Sequence, residues 1–136
     1  MINSPHTGTE EVAVVEAIYA AMAASDLSTL FDLLDPTIVV VQDDRLPWGG
    51  RYVGHDGFAN FGLVLRAHIE SSVTTEAMFS ADRDVVQMGH TRGRVVANGV
   101  PFDIAEVHRW TVRGGRAIAA HFSIDTVAML SALAAD

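Results

Sequence analysis

Glu106 and His108 lie two residues apart in Phe102-Asp103-Ile104-Ala105-Glu106-Val107-His108-Arg109-Trp110, where apolar and polar residues alternate. Strand side chains repeat every two residues, so Phe102, Ile104, Glu106, His108 and Trp110 share one side. A carboxylate and an imidazole in an otherwise apolar wall are costly to desolvate, and that cost shifts their pKa values. The pair suits proton abstraction beside a carbonyl: Glu106 as base or acid, His108 as proton shuttle or donor to a developing oxyanion. The structural alternative is a carboxylate bonded to Thr91 across the strands and a core histidine satisfied by Glu106 or a backbone carbonyl.

Two turns govern what faces this pair. Asn98-Gly99 reads as a two-residue hairpin turn. It pairs Ala97 with Val100 and, counting outwards, Thr91 with Glu106 and Gly89 with His108. Gly89, Thr91 and Gly93 are small, so this register predicts a hollow beside the two heads, although a glycine in a strand marks a bulge or bend more often than a ligand. Arg113-Gly114-Gly115-Arg116 allows a two-residue turn, with His108 opposite His121, or a three-residue loop, with His108 opposite Ala120 and Glu106 opposite Phe122. The three-residue loop collects Ile118, Ala120, Phe122 and Ile124 on the apolar wall and sends His121, Ser123 and Asp125 to the polar one, so the pattern favours it.

The elements that must carry these strands follow from periodicity and breakers. Residues 1–8 read as a flexible tail, and residues 9–136 as one domain. Thr9-Glu10-Glu11 opens a helix with Val12, Val15, Ile18, Tyr19 and Met22 on its apolar face. A second helix spans Leu27 to Leu34, capped by Asp26 or Ser28 and ended by Pro36. Thr37–Val41 is a β-branched strand, and 43–54 a Pro- and Gly-rich loop carrying Trp48 and Tyr52. A third helix covers Asp56–Ile69, with Asp56 at its start. Strands follow near 73–79, 85–97, 100–112 and 117–124, then a short helix over 126–133 with Asp125 as its N-cap.

Composition excludes several function classes. The chain has 49% apolar residues and 19% charged ones, which marks it as globular. Its net charge of −8, with no Lys or Arg before Arg45, argues against nucleic-acid binding. It has no cysteine, hence no disulfide, thiolate nucleophile or cysteine metal site. The histidines have no metal-ligand spacing, and no Gly-rich nucleotide loop is present, so neither a metal nor a cofactor is expected. No apolar run reaches membrane-spanning length and the first residues lack a signal core, so no membrane association and a cytoplasmic location are expected.

Helix, helix, strand, helix and a long antiparallel sheet resemble the α+β fold of the nuclear-transport-factor-2-like superfamily, in its ketosteroid-isomerase-like and SnoaL-like (polyketide cyclase) branch. The resemblance covers about residues 10–133. It is carried by Ala24-Ser25-Asp26-Leu27, Leu34-Asp35-Pro36-Thr37-Ile38, Pro47-Trp48-Gly49-Gly50-Arg51-Tyr52-Val53-Gly54 and His108-Arg109-Trp110-Thr111-Val112-Arg113-Gly114-Gly115-Arg116, with Asp125-Thr126 at its close. It implies a cone-shaped barrel of strongly curved, mixed, mostly antiparallel sheet wrapped around three N-terminal helices. His108 matches the position of the isomerases' protonated oxyanion-hole Asp, where the cyclases carry a His. Val40 stands where the isomerases carry their base, and Phe122 where the cyclases carry their catalytic Asp. The isomerase Tyr falls near Ile18, with Tyr19 one residue away and on the packing side of its helix.

Chemistry must therefore be rebuilt on Glu106 and His108. Trp48, Tyr52, Val40, Gln87, Gly89, Thr91, Gly93, Phe102, Ile104, Trp110, Phe122 and Tyr19 are the candidate pocket lining, and Gln42 joins them if Ile38 and Val40 face inwards. The expected partner is a small apolar ligand. The expected function is a cofactor-independent isomerase, cyclase or lyase, or else a non-catalytic binder or dimeric scaffold. A half-apolar outer sheet face, with Arg94 opposite Asp103 amid Met88, Val96, Ala105 and Val107, suits a homodimer interface.

Overall fold

The computed structural model describes residues 9–136; the expected tail lies outside the described residues. In chain order the elements are α1 (Thr9–Ala23), α2 (Leu27–Asp32), β1 (Leu34–Gln42), β2 (Gly50–Val53), α3 (Gly54–His68), β3 (Ile69–Ala81), β4 (Asp84–Val95), β5 (Pro101–Arg113), β6 (Arg116–Ile124) and α4 (Thr126–Ala134). The strands form one sheet in the order β2-β1-β6-β5-β4-β3. Only β1 and β6 run parallel; the other neighbours are antiparallel. The sheet curves like a cone and does not close, and α1 and α3 pack across its inner face. Val15 and Ile18 of α1 and Phe58 and Phe61 of α3 are buried there with Val40, Val85, Trp110 and Phe122.

Asp26 caps α2 through Thr29 N, and Asp125 caps α4 through Ala128 N, as short polar side chains before apolar helices should. Two boundaries differ from expectation. The loop after β1 contains β2, in which Arg51 and Tyr52 pair with Val41 and Val40. Pro36 lies inside β1, because α2 already ends at Asp32.

Both hairpin turns differ from the sequence reading. Ahead of β5, Arg94 pairs with Pro101 and Gly93 with Phe102, so the register is shifted by two residues. Glu106 therefore faces Gly89 rather than Thr91, and His108 faces Gln87 rather than Gly89. Asn98 keeps a local turn bond, accepting from Val100 N at 2.9 Å, while its amide donates to the carbonyls of Ala132 and Ala135 at the end of α4. The connection spans the four residues Val96–Gly99, closed by Val95 N to Val100 O at 2.9 Å. Arg92, not Arg94, bonds Asp103 (2.9 Å), and Arg94 bonds Glu70 on β3.

At the second turn, Gly114 and Gly115 both have positive φ, 61° and 80°. That geometry favours a two-residue turn, and Arg113 pairs with Arg116 across it. A bulge between Thr111 and Val112 then restores the parity that the three-residue loop was expected to supply. His108 ends opposite Phe122 and Glu106 opposite Ile124. Ala117 rather than Ile118 takes the buried place at the start of β6.

Candidate active site

Strand β5 buries every second residue from Phe102 to Trp110. Glu106 is 3% exposed and His108 9%, while Val107 between them is 40% exposed. Both heads thus project from the inner face of the sheet, a position that the two-residue register shift leaves unchanged, because an even shift preserves sidedness.

Among the described residues, the two carboxylate oxygens of Glu106 are the buried side-chain polar atoms that lack a hydrogen-bond partner. His108 Nε2 stands 3.5 Å from Glu106 Oε1. Burial pushes the Glu106 carboxyl up to about 7; the nearby Gln87 amide and the His90 charge oppose the rise, and Glu76 adds to it. Burial pulls His108 down to about 3, so its imidazole is neutral around pH 7. In each case burial disfavours the charged form, which moves an acid up and a base down.

Tyr19 is the member of this cluster that periodicity placed among packing residues. Its hydroxyl lies 2.5 Å from His108 Nδ1 and accepts from Trp110 Nε1 at 3.0 Å. It also reaches Gln87 Oε1 at 3.4 Å, and the Gln87 amide nitrogen donates to Thr75 Oγ1 at 3.0 Å. The Tyr19 ring stacks on His108 and meets Trp110 edge-on. Burial raises the Tyr19 hydroxyl well above the usual phenol range, so it is a neutral donor. Phe122 closes the other side of His108, with ring centroids 4.6 Å apart.

The remaining lining candidates divide. Val40, Phe102, Ile104 and Trp110 are buried on the inner face. Trp48 is also buried, but its indole N–H donates to Gln42 Oε1, and the Tyr52 hydroxyl donates to the Trp48 carbonyl. These contacts tie the loop to β1 and β2, and ring contacts of Trp48 with His68 and of Tyr52 with Phe61 tie it to α3. Gly93 makes no hollow beside the pair, and Gly89 borders only the recess described below. A Cβ on either would overlap the backbone carbonyl of Thr74 or Glu70, so these glycines let β3 fold closely over β4. Thr91 faces Ile104.

Two open concavities border the cluster. A recess of about 330 Å³ is lined by Glu106 and Gly89 with Glu76, Met88, His90, Ala105, Val107, Ser123, Ile124 and Asp125. A wider one of about 920 Å³, between the ends of β1 and β6 and the start of α4, reaches Gln42 and Phe122. Among the described residues no group of three or more His, Asp or Glu side chains is arranged to hold a metal ion, and no helix is long and apolar enough to cross a membrane.

Known proteins share this architecture. The SnoaL-like domain family matches residues 15–121. An NTF2-like protein of unknown function from Burkholderia pseudomallei is similar at 25% identity, covering 93% of this chain and 98% of that one, with a TM-score of 0.84. TerC, co-crystallised with polyporic acid, is 21% identical over 93% of this chain and 99% of its own, with a TM-score of 0.83. A candidate SnoaL-like polyketide cyclase from Jannaschia sp. CCS1 is 18% identical over 100% and 99% of the two chains, with a TM-score of 0.80. No curated protein sequence matches the chain.

Proposed function

As this chain belongs to the SnoaL-like domain family, we propose that it binds a small apolar carbonyl compound and moves a proton on it by acid/base chemistry, without a cofactor. The observation that carries this reading is the Glu106 carboxyl: buried, without a hydrogen-bond partner, and held near neutral pKa beside a neutral imidazole. An unpartnered buried carboxyl costs stability, and such groups cluster where a reaction needs them. As a carboxylate, Glu106 takes the proton from carbon beside the carbonyl. A neutral His108 donates a hydrogen bond to the enolate oxygen. Glu106 then returns the proton to a second carbon for isomerisation, or the enolate carbon closes a ring or expels a leaving group. Support for the ligand class comes from the ring-lined wall of Trp110, Phe122 and Tyr19, since apolar and aromatic side chains dominate small-molecule sites. TerC, which shares the fold, was crystallised with polyporic acid.

The non-catalytic reading has one observation in its favour. By the resemblance, Val40 and Phe122 stand where the isomerases carry their base and the cyclases their catalytic Asp, and both are buried in the core. Either reading includes a homodimer through the outer sheet face, where Phe79, Met88 and Val107 are exposed.

Deuterium exchange separates the two readings. A ligand recovered with the purified protein and identified by mass spectrometry is incubated with it in D2O. Enzyme-catalysed incorporation of deuterium beside the carbonyl is expected, falling about 10²- to 10⁴-fold in Glu106→Gln with binding retained. Exchange unchanged by E106Q removes Glu106 from the mechanism, and no exchange by wild type leaves a binder.

A further inference from the structure

We infer that Glu106, His108, Tyr19 and Gln87 form a hydrogen-bond relay that reverses direction when Glu106 gains or loses its proton, with Trp110 as the fixed end and Gln87 as the alternate acceptor. The reversal belongs to the ligand-free protein; under the catalytic reading a bound carbonyl oxygen replaces Glu106 as the acceptor of the Nε2 proton, and the reversal is no step of turnover.

The argument starts from Trp110. An indole N–H can only donate, so at 3.0 Å it commits one lone pair of the Tyr19 oxygen. The Tyr19 hydrogen is left with two acceptors, His108 Nδ1 at 2.5 Å and Gln87 Oε1 at 3.4 Å. Which one it uses depends on the imidazole. A neutral ring carries one proton on one nitrogen, and the other nitrogen accepts. With Glu106 ionised, the proton belongs on Nε2, facing Oε1 across 3.5 Å. Nδ1 then accepts from Tyr19. With Glu106 protonated, the carboxyl becomes the donor across that gap and Nε2 the acceptor. The ring proton moves to Nδ1 and points at the Tyr19 oxygen, whose second lone pair is open. The Tyr19 hydrogen then has one acceptor left, Gln87 Oε1.

Gln87 is built for that role. It is fully buried, and its amide nitrogen donates to Thr75 Oγ1 at 3.0 Å and also acts on Glu106, while Oε1 stands 3.4 Å from the Tyr19 hydroxyl. Protons balance in both directions: the one gained by Glu106 is the only one added, and His108 stays neutral throughout. A buried imidazole that never ionises can thereby present a donor to the carboxylate and an acceptor to the acid. Tyr19 and Gln87 are positioning residues in this scheme.

The other charged and titratable groups near Glu106 sit away from the relay. Glu76 of β3 and His90 of β4 influence its titration and are themselves an outer-face pair, with His90 also held by Asp103 at 2.6 Å. Asp125, which lines the same recess, is engaged as the cap of α4.

The test is ¹⁵N NMR of histidine-labelled protein without ligand, between pH 5 and 9, with His108 assigned by its loss in His108→Gln. Glu106 titration near neutrality should interchange the protonated-type and bare-type nitrogen signals of His108 while the ring remains neutral. Gln87→Leu removes the alternate acceptor and should hold the proton on Nε2 across the range. Glu106→Gln should end the pH dependence altogether. One unchanging tautomer in the wild type overturns the relay. So does an interchange that persists in Q87L, and the wild-type titration decides the matter even if a variant fails to fold. A relay that reverses in a protein showing no deuterium exchange refutes the catalytic reading instead, so the two failures are distinguishable.

Discussion

Glu106 and His108 pull stability in opposite directions with pH. The fold holds Glu106 protonated, at about 7 against an ordinary 4.5, so its contribution is complete below pH 4.5 and is lost as pH rises through 7. The fold holds His108 neutral, at about 3 against 6.5, so its contribution is complete above pH 6.5 and is lost as pH falls through 3. Between 4.5 and 6.5 the two slopes cancel. Glu106→Gln removes one of them. Urea unfolding of wild type and variant should show E106Q gaining on wild type as pH rises from 4.5 to 7, by on the order of 2 kcal/mol. A difference independent of pH would mean that Glu106 reaches water. At this scale the sequence was legible where alternation spoke: an acid and an imidazole at i and i+2 in a strand pattern must face the same way. Tyr19 was legible as a lining candidate, but the bond of its hydroxyl to His108 was not, because its ring packs like any helix-face aromatic and that partner lies 89 residues away.

Between elements, sidedness was more legible than register. Alternation in β5 survives any even slip, which is why the inward face was predicted correctly while its neighbours were not. The slip accompanies a four-residue connection whose Asn98 amide also bonds the carbonyls ending α4, a contact across 34 and 37 residues that no local pattern contains. The bulge opposite Thr111 and the short strand β2 were hidden for a related reason: neither has a periodicity of its own, and each exists because a neighbouring strand pairs with it. The strand glycines follow the same logic. Gly89 lies beside the irregular pairing between Thr75 and Ala77, where β3 folds over β4. Gly89→Ala should force those backbones apart and lower stability by about 2–3 kcal/mol in urea unfolding. Accelerated amide exchange should be concentrated in β3 and β4. A variant as stable as wild type would show that the approach is not tight and return Gly89 to the pocket lining. Asp125 contrasts with it: its capping role was readable because the signal, a short acid before an apolar helix, is entirely local.

For the whole molecule, the proposed dimer face and the recess bordering Glu106 are made of the same residues. Met88 and Val107 are exposed apolar groups on the outer face of the sheet, and with Ala105 they also line the 330 Å³ recess. The charges around them are already matched within the chain, Arg92 with Asp103 and Arg94 with Glu70, so covering this face leaves those ions paired. A second copy seated here would close the recess from outside. For a ligand held in this recess, assembly and occupancy are linked: a ligand that binds one assembly state more tightly shifts the equilibrium towards it, and by the same factor assembly alters its affinity. Met88→Glu with Val107→Glu should weaken self-association at least about tenfold in sedimentation velocity, since each replaces an apolar contact by a buried charge of the same sign. The monomer so produced should keep its melting temperature within a few degrees, as both side chains are exposed in the single chain. Its ligand affinity should change with the assembly state, whereas Leu63→Lys, on exposed α3 and outside both recesses, should alter neither. A double variant that dissociates yet binds ligand as the wild type does would separate the two surfaces and leave the recess open to solvent in the assembled protein.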